Sequence, residues 1–522
     1  MRFLDRITRF LPYFPAIVSG GLLTAAFPDT GLYLAAFFAL VPLWISLGSL
    51  TRRQAFLAGT AAGLTHYLTL IYWLIPTLTI YGKLHLILAL ACLVLLSLYL
   101  ALYTGIFAFM LTQPHLPRWL TPLWGATLWV GLEFIRTHAL TGFPWGILGY
   151  SQFSNALLLQ TADVGGVLGI SFVLVTCNGA LARVWESFRQ PVSPGRGMSL
   201  ILPCICAVLI LAAALGYGHF RLKTVDAWIA AAPKPVISVI QGNIEQDKKW
   251  DKAFKDFTVD QYRLLSLASD PSALVVWPET AVPFYYGRDA VYSMAVDEVV
   301  RQKNAHFLIG SPAADVGKEI IRYYNRAYML NPKGLVTASY DKTHLVPFGE
   351  YVPLQDLLFF IEKLTAEAGN FSRGKHVGKS LPFGEHKTGV LICFEILFPD
   401  IARAFVANGA DILTTITNDA WFGRTSAPAQ HFSIAVFRAV ENRRSVVRAA
   451  NTGISGFIDP AGRITAATGL FETTFLSAAV PALTQSSFYS RFGDLPGLVS
   501  LIAISFGFMV KGIKKIMRRS RQ

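Results

Sequence analysis

Apolar residues fill long uncharged stretches at both ends of this chain, and a mixed polar region lies between them. Stretches without a formal charge occupy 10–28, 30–51, 54–82, 84–117, 164–182, 197–220 and 495–510. A further apolar stretch, 119–137, carries Glu133 and Arg136. Their spacing of three puts both on one helix face, where they can pair. A helix needs about 20 apolar residues to cross a bilayer. The pattern therefore predicts eight spans: seven within 1–220 and an eighth within 491–522. Between them, over 221–490, short β-rich runs recur at 236–241, 274–277, 306–310, 324–330, 335–340, 389–394, 412–417 and 445–449. Helical patterns at 251–268, 290–303, 399–408 and 428–443 separate several of these. Strands alternating with helices predict an α/β domain whose sheet is covered by helices.

Composition sharpens this division. Of 522 residues 53% are hydrophobic and 15% charged, against about 25% charged in ordinary soluble chains. That excludes a disordered protein and argues against a wholly soluble one. Only Asp5, Asp29, Glu133, Asp163 and Glu186, five of 32 acids, fall in the first 220 positions. The net charge is +14, and its dense clusters flank apolar runs, which favours a membrane surface over nucleic acid. Counting basic loops gives the orientation. The N-terminus with Arg2, Arg6 and Arg9, the loops with Arg52 and Arg53, with Arg118, and with Arg183, Arg189 and Arg196, and the tail from Lys511 all fall on the cytoplasmic side. Region 221–490 then lies outside, as does a loop at 138–160; Lys83 is a mild exception. The first run is read as an uncleaved helix, because a second follows almost at once.

Three segments of the polar domain can carry chemistry. VVWPETAVPF ends a strand at Glu279; YDKTHLVPFGEYVP places Lys342 after a strand and Glu350 eight residues on; GVLICFEILFPD breaks a buried-looking strand at Cys393. A thiol nucleophile needs a base for its proton and a cation or N–H donors for the oxyanion. Each residue also has a bland reading, since a cysteine after an apolar strand is usually a small core residue. Cys393 has no partner for a disulfide in its own domain, because Cys92, Cys177, Cys204 and Cys206 all lie in apolar stretches. Two stretches, 281–287 and 352–368, are greasy enough either to pack as core or to lie on lipid as lids. No Cys/His spacing fits a zinc site and no glycine loop fits a phosphate, so neither metal nor cofactor is expected.

The order of Glu279, Lys342 and Cys393, with the motifs around them, resembles the nitrilase superfamily of carbon–nitrogen hydrolases. With QGNIEQDKKWD (241–251), LTGFPWGILGYSQ (140–152), TNDAWFG (417–423) and the run 430–456, nearly the whole chain is similar to the apolipoprotein N-acyltransferases of bacteria. The resemblance implies a multi-pass helical membrane bundle of eight spans (1–220 and 491–522) joined to a nitrilase-like α-β-β-α sandwich (221–490). It implies Cys393 as nucleophile, Glu279 as general base and Lys342 as the group that stabilises the tetrahedral intermediate. Glu350 and Glu395 match supporting acids. Phe394 stands where relatives often carry tyrosine, so a role for that hydroxyl is absent. Trp250, Trp145, Tyr285 and Pro347 match substrate-binding positions. The implied reaction moves an acyl chain from the sn-1 position of a phospholipid, phosphatidylethanolamine being the expected donor, through a Cys393 thioester to the N-terminal amine of a diacylated apolipoprotein. The expected setting is the bacterial inner membrane, with the catalytic domain outside, both termini inside, a monomeric chain and no nucleic-acid partner. The alternative is a membrane-tethered amidase or nitrilase using the same triad on a C–N bond.

Overall fold

The computed structural model describes residues 13–112, 117–189, 197–246, 249, 254–316, 321–351 and 371–519. The chain divides into two units. One comprises Met1–Tyr72, Leu90–Arg221 and Asp494–Gln522; the other comprises Trp73–Ala89 and Leu222–Gly493.

The first unit is helical. Among the described residues three helices are long and apolar enough to cross a membrane: Leu86–Leu111, Ala162–Phe188 and Ile201–Ala231. Three shorter apolar stretches, Phe14–Ala25, Tyr33–Ser49 and Leu495–Lys511, accompany them. The count of eight is therefore not reproduced by length and hydropathy, and the reasons are local. Run 30–51 breaks into short turns, with Pro42 opening a new helix at Val41, where its missing N–H costs nothing. Run 54–82 is divided between a helix, Arg52–Leu70, that starts at two arginines, and the short turns Leu74–Pro76 and Thr77–Tyr81. The helix Thr121–His138 includes Glu133 and Arg136. An uncharged run is thus not always one continuous helix.

Glycines let the helices of this unit close up. A Cβ on Gly59 would lie 2.4 Å from the Thr104 carbonyl oxygen, and one on Gly63 would lie 2.8 Å from Ala101 Cα. Such small-residue contacts are how apolar helices pack in lipid. Glu133 and Arg136 share a helix face and act on each other through charge, and both also hydrogen-bond the loop that follows. Arg136 donates to the carbonyls of Trp145 (3.2 Å) and Gly146 (3.2 Å), and Glu133 accepts from the Leu148 amide at 2.7 Å. Arg136 also donates to the Tyr67 hydroxyl.

The second unit is a two-sheet sandwich. Its strands are β1 (Val236–Gln241), β2 (Leu274–Val276), β3 (His306–Val316), β4 (Ile321–Leu330), β5 (Val336–Asp341), β6 (Leu381–Phe383), β7 (His386–Ile392), β8 (Ile412–Thr417), β9 (Ser445–Ala450), β10 (Gly456–Ile458), β11 (Ile464–Ala467) and β12 (Thr474–Ala479). One six-stranded sheet has the order β12-β1-β2-β3-β4-β5 and the other β11-β10-β9-β8-β7-β6. Each has a parallel centre, β1-β2-β3 and β7-β8-β9, flanked by antiparallel strands. Helices Lys255–Ala268 and Ala290–Lys303 make the crossovers of the first centre, and Pro399–Ala407 and Ala427–Asn442 those of the second. The parallel strands β1, β2 and β8 are buried on both faces and rich in Val, Ile and Leu, with Ser238, Thr414 and Thr415 as buried polar interruptions. This is the nitrilase-like layering, built from the sequence's alternation of strand and helix.

The stretch 281–287 packs mainly as core. Ala281, Val282, Phe284 and Tyr286 belong to the apolar cluster around Trp277 and Phe307. Tyr285 and Gly287 are its exposed residues. A lid from this stretch is therefore corrected to a core segment with one exposed ring. The other stretch expected to act as a lid, 352–368, lies outside the described residues.

Candidate functional site

Chemistry-bearing residues directly follow strand ends in both sheets, two of them in the parallel centres and one at the antiparallel edge strand β5. Glu279 comes two residues after the Trp277 that prolongs β2, Lys342 follows β5, and Cys393 follows β7. Gly310 on β3 allows the Glu279 turn to lie flat on it, since a Cβ there would be 2.6 Å from the Pro278 carbonyl oxygen and 2.8 Å from Glu279 Cα.

Lys342 is buried between two carboxylates. Its Nζ lies 3.0 Å from Glu350 Oε1 and 3.5 Å from Glu279 Oε1. Burial works against its charge, but Glu350 and then Glu279 outweigh it and hold the ammonium protonated well beyond the usual lysine range. Asn325 bridges the same acids, its Nδ2 donating to Glu279 Oε1 at 2.7 Å and to Glu350 Oε1 at 3.1 Å. The second oxygens are held by main chain: Glu279 Oε2 accepts from the Asn418 amide at 2.9 Å, and Glu350 Oε2 from the Val346 amide at 2.8 Å. Both carboxylates are thereby fixed in orientation.

Cys393 begins a short turn, Cys393–Leu397, with φ of +54°. A non-glycine residue in that left-handed region is uncommon and costs energy. Glu395 secures the turn. Its Oε2 accepts from the Ile392 amide at 2.8 Å, and its Oε1 accepts from the Tyr340 hydroxyl (2.8 Å), the Thr343 amide (2.7 Å) and the His344 amide (3.1 Å). One buried carboxylate thus ties the loop after Lys342 to the turn after β7. Phe394 packs on His344 and Phe398, with ring centroids 5.9 and 5.3 Å away. Burial pushes the Cys393 thiol well above its ordinary value, Glu279 adds to this, and Lys342 opposes it. The thiol is therefore protonated at neutral pH and needs a base within reach of its proton.

Of the other residues singled out by sequence, Pro347 is half-buried in the loop between Lys342 and Glu350, and Tyr285 is 39% exposed beside Tyr323. Trp145 is buried in the helical unit. Trp250 lies outside the described residues. Sequence reasoning missed Asn325, Asn418 and Lys249. Lys249 is buried, donates to the Glu279 carbonyl at 3.3 Å, and is brought down by burial to a pKa of about 8. Asn418 sits inside TNDAWFG, so that motif held the signal; Asn325 lies within a strand and had none.

A segment from between two apolar helices also belongs to this unit. Trp73 Nε1 donates to Gln430 Oε1 at 3.3 Å, the Thr77 hydroxyl donates to the Trp421 carbonyl at 2.9 Å, and the Trp73 and Tyr81 rings meet Phe422 and Trp421 edge-on.

Comparisons with known proteins bear on what this arrangement does. Residues 19–180 match the family model "Apolipoprotein N-acyltransferase N-terminal domain", and 236–487 match "Carbon-nitrogen hydrolase". A relative from Geobacter metallireducens, named apolipoprotein N-acyltransferase, is 42% identical over 490 residues and covers 92% of each chain. One of the same name from Pseudomonas putida is 33% identical over 507 residues, covering 96% of this chain and 97% of its own. Among solved structures, an amidase of the nitrilase superfamily from Nesterenkonia has a TM-score of 0.38 at 20% identity, covering 50% of this chain and 94% of its own.

Proposed function

We infer the reaction from one premise: the chain belongs to the apolipoprotein N-acyltransferase family. It is an acyltransferase of lipoprotein maturation, carrying a membrane-associated helical part and a carbon–nitrogen hydrolase domain. The acyl donor in this reading is a membrane phospholipid, attacked at its sn-1 ester, with phosphatidylethanolamine as the expected headgroup. The acceptor is the α-amino group of a diacylglyceryl cysteine at an apolipoprotein N-terminus.

In the first half-reaction Glu279 takes the Cys393 proton as the sulfur attacks the ester carbonyl. Proton transfer concerted with attack suits a thiol that burial holds protonated, and such a base supplies typically about 10²–10⁴-fold. The tetrahedral oxyanion is stabilised by the Lys342 ammonium. Collapse expels the glycerol oxygen, which receives the proton held by Glu279, and lysophospholipid leaves a thioester on Cys393. In the second half-reaction the neutral amine attacks that thioester and Glu279 accepts an amine proton. The thiolate leaves, is reprotonated, and an amide has replaced an ester. Glu350 and Asn325 keep Lys342 and Glu279 in register, and Glu395 keeps the Cys393 turn beside them. Tyr285, Pro347, Trp145 and Trp250 are assigned to substrate contacts. The observation that carries this reading is the buried Lys342 held between Glu279 and Glu350, with the charges of Lys342 and Glu279 felt by a left-handed Cys393.

The domain limits proposed are 1–220, 221–490 and 491–522. The proposed setting is a bacterial inner membrane crossed eight times by a monomer, with the catalytic domain outside and both termini inside. Its support is the regular alternation of basic loops. The reaction is tested with purified full-length protein, acyl-labelled phospholipid and a diacylated lipopeptide. Label in an amide on the lipopeptide is expected. Label released only as free fatty acid, with hydrolysis of simple amides, would instead mark a tethered hydrolase.

A further inference from the structure

We propose that the Thr417 hydroxyl is a catalytic hydrogen-bond donor to the Cys393 sulfur, primed from below by a buried Asp419–Arg448–His431 cluster. The sheet register places it. β7 and β8 run parallel with Ile392 opposite Ile416, so Cys393 and Thr417 leave adjacent strands at the same level. Cys393 turns into the left-handed region there, beside Thr417 on the neighbouring strand, and the Thr417 hydroxyl favours the ionised sulfur.

That hydroxyl has a second partner. It donates to Asp419 Oδ1 at 2.9 Å. Asp419 in turn binds Arg448 Nη2 at 2.7 Å through Oδ2 and lies 3.1 Å from His431 Nδ1 through Oδ1. Thr417, Asp419, Arg448 and His431 are all essentially without solvent contact. Burial works against the Asp419 charge, but Arg448 and His431 outweigh it and keep the carboxylate ionised. His431 Nδ1 also receives Arg448 Nη2 at 3.0 Å, which closes the cluster behind the strand. Gly453 makes room, since a Cβ there would sit 2.4 Å from Asp419 Oδ2.

A threonine hydroxyl carries one proton and can rotate. With a resting thiol, that proton points at Asp419. When Glu279 removes the thiol proton, the hydroxyl turns to the sulfur anion, while Asp419 keeps Arg448 and His431. When the thioester forms, the sulfur loses its charge and the hydroxyl turns back. No proton changes owner at Thr417, and the same donor steadies the thiolate as it leaves in the second half-reaction. The ionisable groups around the sulfur are then Glu279 and Lys342 from the first sheet, Glu395 on its own turn, and Asp419, which Arg448 and a His431 kept neutral by burial hold from behind.

The proposal rests on Cys393 being the nucleophile, but its test needs no acyl donor. Full-length protein in detergent is alkylated with iodoacetamide across pH, and the Cys393 peptide is followed by mass spectrometry in Thr417→Val and Thr417→Ser. A hydrogen bond to a charged acceptor is strong enough to change this equilibrium about tenfold to a hundredfold. Thr417→Val is therefore expected to move the alkylation midpoint up by about one to two pH units and to slow acylation by a similar factor. Thr417→Ser is expected to stay within about threefold of the parent. If the valine variant does not fold, Thr417→Ala takes its place. An unshifted midpoint in the variant lacking the hydroxyl, or an equal shift in Thr417→Ser, would overturn the proposal. A shifted midpoint in a protein that transfers no acyl group would uphold it and remove the acyltransferase reading instead.

Discussion

At Cys393 two neighbours pull the thiol in opposite directions, and this separates their roles. Glu279 disfavours the thiolate and Lys342 favours it. Glu279→Gln is therefore predicted to lower the pH at which iodoacetamide alkylates Cys393, while cutting acyl-enzyme formation by at least about a hundredfold, because the base is gone. Lys342→Met is predicted to raise that pH and also to slow acylation. Both variants are read by the same alkylation profile and by single-turnover acylation. Parallel shifts in the two would contradict the assigned charges. These three residues were legible because each follows a strand end inside a dense motif. Asn325 was not, since its meaning comes from Glu279 and Glu350, which reach it from other segments. Thr417 was quoted within TNDAWFG without a role, because only the pairing of β7 with β8 brings it to the sulfur. The Glu133–Arg136 spacing likewise showed only that the two share a helix face; their bonds to the loop at Trp145–Leu148 depend on how the chain returns to that face.

The proposed catalytic base, Glu279, depends on the neighbouring strand β3. β3 lies under the Glu279 turn because Gly310 has no side chain, and Thr280 within that turn takes a φ of +50°. Gly310→Ala is predicted to force the turn off β3. The cost is about 1–3 kcal/mol of stability, with acyl transfer falling at least about tenfold while the Cys393 thiol remains reactive to iodoacetamide. Melting in detergent and a transfer assay check this; unchanged transfer would mean the turn does not need that support. The strands of the parallel centres could be read from their apolar runs. β6, β10 and β11 could not, being three or four residues long, or β12, which is only partly buried. The helix Gly197–Ala231 likewise runs past the expected limit at 220, since nothing in the sequence stops it before Ala231.

For the whole molecule, the sequence carried the division into a greasy part and an α/β part, because charge density changes abruptly along the chain. It did not carry the allotment of Trp73–Ala89 to the α/β unit, since that segment, Lys83 apart, is as apolar as its neighbours and its contacts with Trp421, Phe422 and Gln430 reveal its place. The proposed orientation makes a direct prediction. A cysteine placed at exposed Lys379 should react with a membrane-impermeant maleimide in cells stripped of their outer envelope, and one at exposed Arg53 only after permeabilisation. The reverse pattern would invert the topology. The central claim, that one sulfur carries a fatty chain from a lipid to an amine, is tested most directly by the mass of the Cys393 peptide. After incubation of the full-length protein with phospholipid, that peptide should gain one acyl chain, and added diacylated lipopeptide should remove it and become N-acylated. A Cys393 peptide that stays unmodified while the lipopeptide is acylated would contradict the account.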